Sequence, residues 1–317
     1  MVMKKQNYLK IGIAVLLSGV LLFAIALTGN AAGNGYEQLK MLLNEEPVQL
    51  SSSSIHTDLS ISDNGTSVLQ AAGDIKADMI SKNMSGQFNI AGAAGAKSFE
   101  VFQKGDTVLF HLTGSENWYQ TIRTENDRYD GETARGQYAS QDRKSNRQLR
   151  DAVLDVLMGD LKDQVTLDEA NGLRTFSLTM DKSNMPLLIQ TAFSAGKMHS
   201  GVNDQPAFDM ANLPAELKAA ADDMMVYRNL IDISGERTLE KIKISLTVDQ
   251  NNQPQAIELS TNFSGVSEDG TAHAYEINCK AALSGINATV PDEAKADPSV
   301  ITTIDASRFE TAAFKHR

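Results

Sequence analysis

The stretch IAGAAGAKSF, residues 90–99, is the one place where the sequence approaches a phosphate-binding loop. A P-loop needs four residues between its two glycines, and a lysine must follow the second glycine directly. Here two residues separate Gly92 from Gly95, and Ala96 stands before Lys97. The following SFEVFQK alternates as a strand does, whereas a P-loop must open a helix. We therefore predict a small-residue turn between two strands, with Lys97 as a solvent-facing charge.

Other residue types that do chemistry are scattered along the chain. The histidines show no metalloprotease spacing, and no G-x-S-x-G elbow is present. The run that begins at Asp249 starts like a calcium loop, but Pro254 and Ser260 stand where that loop needs a glycine and an acid. We expect no metal and no cofactor. The chain is predicted not to be an enzyme, and an active site that assembles only in space is a weaker alternative.

Composition excludes further classes of function. The formal net charge of −11 disfavours binding to nucleic acid. Aromatic residues make up 6% of the chain, so we expect no stacking platform for sugars or bases. The single cysteine, Cys279, rules out an intramolecular disulfide, and its alternating surroundings, AHAYEINCKAAL, predict a half-buried or buried strand residue.

Residues 11–28 form an apolar run, IGIAVLLSGVLLFAIALT, preceded by three basic residues. At 1.5 Å per residue this run reaches about 27 Å, roughly a bilayer core. It predicts either an uncleaved anchor or a signal peptide cut near Ala31. Both alternatives place the domain outside the cell membrane: as a single-pass protein with a cytoplasmic N-terminus, or secreted. The predicted boundaries are 1–32 for this segment, 33–297 for an extracytoplasmic domain and 298–317 for a tail, with the polar loop 123–146 as a subdomain boundary.

The pattern of the remaining chain alternates between two periods. A short amphipathic helix at 35–43 precedes about six strands with period two, among which Gly73 marks a predicted bulge. Helical patterns follow between residues 145 and 223, and the last third is again strand-like. This order predicts an α+β fold: a large curved antiparallel sheet, a half-barrel, with helices on its concave face and one N-terminal transmembrane or signal helix before it.

The order of elements, together with the closing run KISLTVDQNNQPQAIELSTNFSG, resembles the bacterial lipoprotein-carrier superfamily of LolA-type and LppX-type proteins. The resemblance covers residues 35–290 in the order of elements and includes no diagnostic motif. It implies a half-barrel that wraps helices and leaves an apolar cavity for lipid chains. The chain departs from LppX-type members because it lacks their lipid-modification cysteine, and the loop 123–146 has no counterpart.

Methionines cluster in the helical third of the sequence: six of the 12 lie between Met180 and Met225. Methionine is flexible and polarisable, so such a cluster suits an adaptable apolar surface, although it also serves as plain core filler. The residues predicted to line an apolar ligand are Met180, Met185, Leu188, Met198, Met224, Met225, Phe88, Phe99 and Phe110. The sequence therefore predicts a non-enzymatic domain at the cell envelope that binds an apolar ligand such as a lipid. The alternative is a surface structural or protein-interaction module with a filled core.

Overall fold

A computed structural model describes residues 35–36, 38–39, 42, 51–93, 95–122, 159–195, 213–225 and 230–304. Within the helices, the side chains of Leu188, Met224 and Met225 lie outside this description, as does the whole of Met198. The polar loop 123–146 and the predicted helix that starts at residue 145 fall outside it as well, apart from that helix's last residues.

Twelve strands and two short α-helices make up most of the described chain. The helices are α1 (Leu187–Ala195) and α2 (Ala215–Met225), and 3₁₀ turns occur at Gly159–Gln164 and Pro298–Val300. The strands are β1 (Ser52–Asp63), β2 (Thr66–Asp78), β3 (Asn83–Gly92), β4 (Gly95–Lys104), β5 (Thr107–Leu112), β6 (Trp118–Ile122), β7 (Val165–Ala170), β8 (Leu173–Asp181), β9 (Arg237–Val248), β10 (Pro254–Val266), β11 (Ala272–Ser284) and β12 (Ile301–Ile304).

All twelve strands belong to one sheet, in the order β12-β6-β5-β4-β3-β2-β1-β11-β10-β9-β8-β7. Two antiparallel meanders, β1 to β6 and β7 to β11, join through the long-range pair β1–β11, in which Leu59 lies opposite Cys279. The pair β12–β6 is parallel, so the sheet is mixed. Within the part of the chain that the structure describes, the sheet therefore has β1 near its middle and β12 and β7 at its edges.

The hairpin turns follow the residues that sequence patterns predict. Asn64 and Gly65 both have positive φ, 50° and 78°, as the turn between β1 and β2 requires. The turn predicted within 90–99 is present as well: β3 ends at Gly92 and β4 begins at Gly95, whose φ is 83°. Lys97, however, is not simply solvent-facing, because its Nζ lies 2.8 Å from Oδ2 of Asp223 in α2.

Gly73 lies in an unbroken stretch of β2 rather than at a bulge. A Cβ at this position would lie 2.6 Å from Cδ1 of Phe88, which is its partner on β3. The glycine therefore makes room for a ring that lies flat against the sheet, and the predicted bulge was wrong. The register shift of β1 against β2 occurs instead between Ile61 and Ser62.

The two faces of the sheet differ in chemistry because side chains alternate along each strand. On one face, the apolar face, register rows run through aliphatic and aromatic residues, as where Ile61 lies between Leu69 and Ile277. On the other, the polar face, the equivalent row runs through Ser60, Gln70 and Asn278. The apolar face over β7 to β10 is closed by a core whose side chains are less than 10% exposed: Phe176, Leu178, Met180, Leu239, Leu246, Val248 and Phe263, with Tyr36 and Leu39 from the opening helical residues.

The chain after β11 crosses the ends of the first strands before it forms β12. Thr289 bonds Ser52 and Ser54 of β1, and Asp292 accepts a hydrogen bond from Lys76 of β2 at 2.9 Å. Residues 298–304, at the start of the predicted tail, then form a 3₁₀ turn and β12 beside β6. This connection brings the end of the chain to the strand that carries Trp118.

The predicted fold class was wrong. The described structure is dominated by a 12-stranded mixed sheet, and its α-helices have 9 and 11 residues; it is not an α+β fold with an N-terminal helix and a helical layer. Helical periodicity is a local signal: it is confirmed at Leu187–Ala195 and Ala215–Met225, but it did not predict that a 12-stranded sheet dominates the described structure. The sheet depends on the pairs β1–β11 and β12–β6, which join residues more than 180 positions apart and leave no local pattern.

The predicted location also needs correction. Among the described residues, no helix is both long enough and apolar enough to cross a membrane. The apolar run 11–28 lies outside them. The single-pass anchor is not supported, and we withdraw the prediction of a membrane-anchored or secreted domain.

Candidate functional site

The residues capable of chemistry are spread over the sheet and pair locally. His56 contacts Asp74 at 2.8 Å and Asp58 at 3.1 Å, while His273 contacts Asp63 at 2.7 Å at the β1–β2 turn. In the ranges that the structure describes, no group of three His, Cys, Asp or Glu side chains is arranged to hold a metal ion. Cys279 lies half-buried in β11 as predicted, and burial raises the pKa of its thiol. The thiol is therefore less nucleophilic than a free one.

Six apolar side chains over β3 to β5 are covered much less than the core beside them. We call this region the open half of the apolar face, and the closed region over β7 to β10 the packed half. The members of the open half are half-buried rather than buried: Phe88, Phe99, Val101, Val108, Phe110 and Leu112. They form a continuous surface, because Phe88 pairs with Phe99, Phe99 with Leu112, and Val101 with Phe110 in the strand register.

The rings of the open half are held in place by their neighbours. Phe88 and Phe99 are stacked with centroids 5.0 Å apart, and Phe110 is stacked on Tyr119 at 5.4 Å. Gly73 and Gly86 lie beneath Phe88, where an added Cβ would approach the ring to 2.6 and 2.9 Å. The open half is thus an ordered aromatic surface on a rigid sheet.

Two polar contacts fix helix α2 beside this surface. The Tyr119 hydroxyl donates to Glu216 Oε2 at 2.8 Å, and Asn117 donates to the same atom at 3.3 Å. Burial together with the nearby Glu216 carboxylate raises the pKa of Tyr119 to about 12. Hydrogen bonds from Ser115 and from Tyr119 lower the pKa of Glu216. With the ion pair between Lys97 and Asp223, these contacts place α2 at the border of the open half.

The predicted ligand-lining residues fall into three groups. Phe88, Phe99 and Phe110 lie together in the open half. Met180 and Met185 are 2% and 5% exposed and belong to the packed core. For Leu188, Met198, Met224 and Met225 the side chains lie outside the described residues. The ligand-lining role stays a prediction. Among the predicted residues whose side chains the structure describes, the three phenylalanines are the ones outside the buried core.

Sequence reasoning missed a feature of the opposite face. An open groove of about 790 Å³ crosses seven adjacent strands, from β4 through β1 to β9. Its lining includes Lys243 and Ser245 of β9 but not Ile244 between them, so on that strand it touches the polar-face side chains. The other strands contribute the same two register rows and, from the row between them, Leu59, Ala71, Ile90, Lys97, Leu259 and Cys279.

The two rows of the polar groove are made of small and polar residues. One row consists of Ser98, Asn89, Ala72, Asp58, Lys280, Glu258 and Ser245, and the other of Ala96, Ala91, Gln70, Ser60, Asn278, Ser260 and Lys243. Lys280 and Glu258 form an ion pair at 2.9 Å, and this contact raises the pKa of Lys280. The signal was present in the sequence as alternate serines, alanines and amides, but only the strand register aligns them.

Comparisons with known proteins give no family. No protein-family model matches the chain, and no curated protein matches it. Among solved structures, the ywiB protein from Bacillus subtilis matches with 8% identity and a TM-score of 0.15, over 74% of this chain and 92% of the other. A LolA superfamily protein from Nitrosomonas europaea matches with 8% identity and a TM-score of 0.20, over 87% and 94%. A bifunctional dehydratase-cyclase domain from ambruticin biosynthesis matches with 13% identity and a TM-score of 0.15, over 83% and 80%.

These matches include a member of the superfamily that the order of elements resembles. At TM-scores this far below 0.5, however, they carry no argument about the function or the ligand of this chain. Any functional conclusion must therefore come from the surfaces of the molecule.

Proposed function

We propose that the chain is a non-enzymatic binding module that holds an apolar ligand, such as the acyl chain of a lipid, on the open half of its apolar face. One observation carries the proposal: six large apolar side chains form a continuous, half-buried surface next to a fully buried core. The largest apolar patch on a monomeric protein is often a site of interaction or a ligand-binding groove.

The chemistry of the open half suits an acyl chain. Phenylalanine, valine and leucine side chains offer dispersion contacts and present no hydrogen-bond donors or acceptors of their own. Each methylene removed from water contributes about 0.8 kcal/mol, so a long chain is held without any charged contact. The stacked rings of Phe88 and Phe99 need no rearrangement to present their surface, which limits the entropy lost on binding.

Uptake of a fluorescent fatty acid by the purified full-length chain tests this function. Phe99→Ser removes a ring from the centre of the open half. Phe102→Ser is the matched control, because Phe102 lies on the same strand and points to the polar face. We expect roughly tenfold weaker uptake by Phe99→Ser, since about 1.5–3 kcal/mol of apolar contact is at stake, and little change in Phe102→Ser.

Two results contradict the proposal: no uptake by the unaltered chain, or equal loss in both variants. Native mass spectrometry of the same preparation adds an independent readout, because a ligand acquired during expression appears as a mass increment.

A second candidate is a structural or protein-interaction module with a filled core. The burial of Met180 and Met185 favours it, since these methionines fill the packed half instead of lining a void. This candidate predicts bare protein in native mass spectrometry and no uptake by any variant.

A further inference from the structure

We infer that the polar groove is a second binding site, for an uncharged oligosaccharide chain. This site lies on the face opposite to the apolar surface proposed above, and the inference does not depend on the apolar ligand. Four properties of the groove point to this ligand: its length, its charge balance, its hydrogen-bonding groups and an aromatic cluster beside one end.

The shape of the groove fits an extended chain. Seven strands spaced about 4.8 Å apart span about 29 Å, and the groove follows that direction. The floor of the groove is low because short side chains line it, namely those of Ala72, Ala91, Ala96 and Ser60. A compact ligand would leave most of this length empty, whereas a chain laid across the strands contacts both register rows.

The charges of the groove cancel, although the whole chain carries −11. Asp58 and Glu258 supply two negative charges, and Lys243 and Lys280 supply two positive ones. The third lysine of the lining, Lys97, is paired with Asp223 of α2 at 2.8 Å. A nucleic acid or another polyanion needs a row of uncompensated cations, which this surface does not offer. An uncharged ligand meets no net repulsion from either sign.

The polar groups of the groove suit hydroxyls, which both donate and accept hydrogen bonds. Gln70 and Asn278 carry amides, and Ser60 and Ser260 carry hydroxyls. Asn278 donates one bond from its amide nitrogen to Glu276 at 2.9 Å, and its amide oxygen is an acceptor. A polypeptide fits less well, because an added strand needs an unpaired sheet edge, and every strand under the groove has neighbours on both sides.

An aromatic cluster lies on the same face, formed by side chains of β4, β5 and β6. It lies level with the β4 positions two to four residues beyond Ser98, where the groove ends. His111 and Trp118 are stacked with centroids 4.5 Å apart, and Phe102 lies 5.9 Å from Trp118. His111 is held by Ser115, whose carbonyl oxygen lies 2.9 Å from its Nε2. Low aromatic content led us to expect no stacking platform; the structure nevertheless brings these three rings together on the polar face, beyond the end of the groove and outside its lining. Such rings supply the apolar contact for the C–H groups of a sugar.

Trp118 is the only tryptophan of the chain, so its fluorescence reports on the aromatic cluster beyond this end of the groove. The full-length protein is titrated with cellohexaose, maltohexaose and N-acetylchitohexaose, each followed by Trp118 fluorescence and by calorimetry. Ser60→Tyr raises the floor of the groove. Ser62→Tyr, on the same strand and face but outside the lining, is the matched control. Gln70→Ala removes an amide without adding bulk.

We expect at least one hexasaccharide to bind. Ser60→Tyr and Gln70→Ala should each weaken its affinity roughly tenfold, because each loses about 1–2 kcal/mol of contact. Ser62→Tyr should leave the affinity unchanged. The inference is overturned if no hexasaccharide gives a signal, or if Ser60→Tyr and Ser62→Tyr weaken binding equally. A fatty acid that displaces the sugar would also overturn it, since the two sites are on opposite faces. Phe99→Ser leaves sugar binding intact whether or not the apolar site exists, so the two proposals fail separately.

Discussion

The packed and open halves of the apolar face are built from the same residue types on one sheet, yet they are covered differently. In the packed half, Phe176 is 2% exposed and Val248 is 1% exposed. In the open half, Phe99 and Phe110 remain half-buried. This difference shows that the alternation of apolar and polar residues along a strand specifies which face is apolar. It does not specify how much of that face the rest of the chain covers. Stability should therefore concentrate in one half and ligand contact in the other.

The largest expected effect comes from truncating one ring in each half. Phe176→Ala leaves a cavity in a fully buried core, and we expect a loss of about 3–5 kcal/mol in the free energy of unfolding. Phe99→Ala removes a ring that already faces outward in part, and we expect about half of that loss or less. Urea denaturation of both variants checks the ratio. Equal losses would show that the two halves are packed alike.

The next effect concerns the fit of Phe88 against the sheet. Gly73→Ala places a Cβ 2.6 Å from the ring, so the ring must shift, at a cost of about 1–3 kcal/mol. In a Phe88→Ala background the same substitution should cost much less. A double-mutant cycle measured by urea denaturation gives this coupling, and additive losses would mean that Phe88 does not contact Gly73.

A smaller effect concerns the contact between Tyr119 and Glu216, which borders the open half. The pKa of Tyr119 is about 12, so its contribution to stability is complete below about 10 and is lost as the pH rises from 10 toward 12. Glu216 acts on the acidic side of the pH range, because its pKa is lowered in the folded protein. Its contribution to stability is present above the pKa of the unfolded chain and is lost as the pH falls through the pKa of the folded protein.

Glu216→Gln should lower the pKa of Tyr119 only in part, because burial is the larger cause of the shift. The expected loss of stability near neutral pH is about 1 kcal/mol. Absorbance titration of the phenolates in both proteins measures the change. An unchanged titration curve would mean that the hydroxyl does not donate to Glu216.

The smallest effect belongs to the polar face. The hydrogen bond to Asp74 is the main cause that raises the pKa of His56. Its stabilising contribution is therefore complete below pH 6.5 and is lost as the pH rises through the raised pKa. Because His56 is 48% exposed, the loss should stay below about 1 kcal/mol. His56→Gln should flatten the dependence of stability on pH in this range; a variant with the same dependence as the unaltered chain would assign the effect to another group.

Local features of the fold could be predicted from the sequence, and long-range ones could not. Asn64 and Gly65 predict their hairpin through φ preferences, and the alternation around Cys279 predicts a strand. The pairing of β1 with β11 has no local signal, so neither the twelve-stranded sheet nor the alignment of Ser60 with Gln70 and Asn278 could be derived. For the same reason, the methionine cluster predicted a ligand surface, while tertiary packing placed Met180 and Met185 in the core.

The most direct measurement of the central claim is fluorine NMR of the full-length chain labelled with fluorophenylalanine, with signals assigned by single Phe→Leu substitutions. On addition of dodecanoate, the signals of Phe88, Phe99 and Phe110 should shift, while those of Phe176 and Phe263 in the packed half stay in place. Shifts confined to the packed half or to Phe102 on the polar face, or no shift at saturating dodecanoate, would contradict an apolar ligand site on the open half.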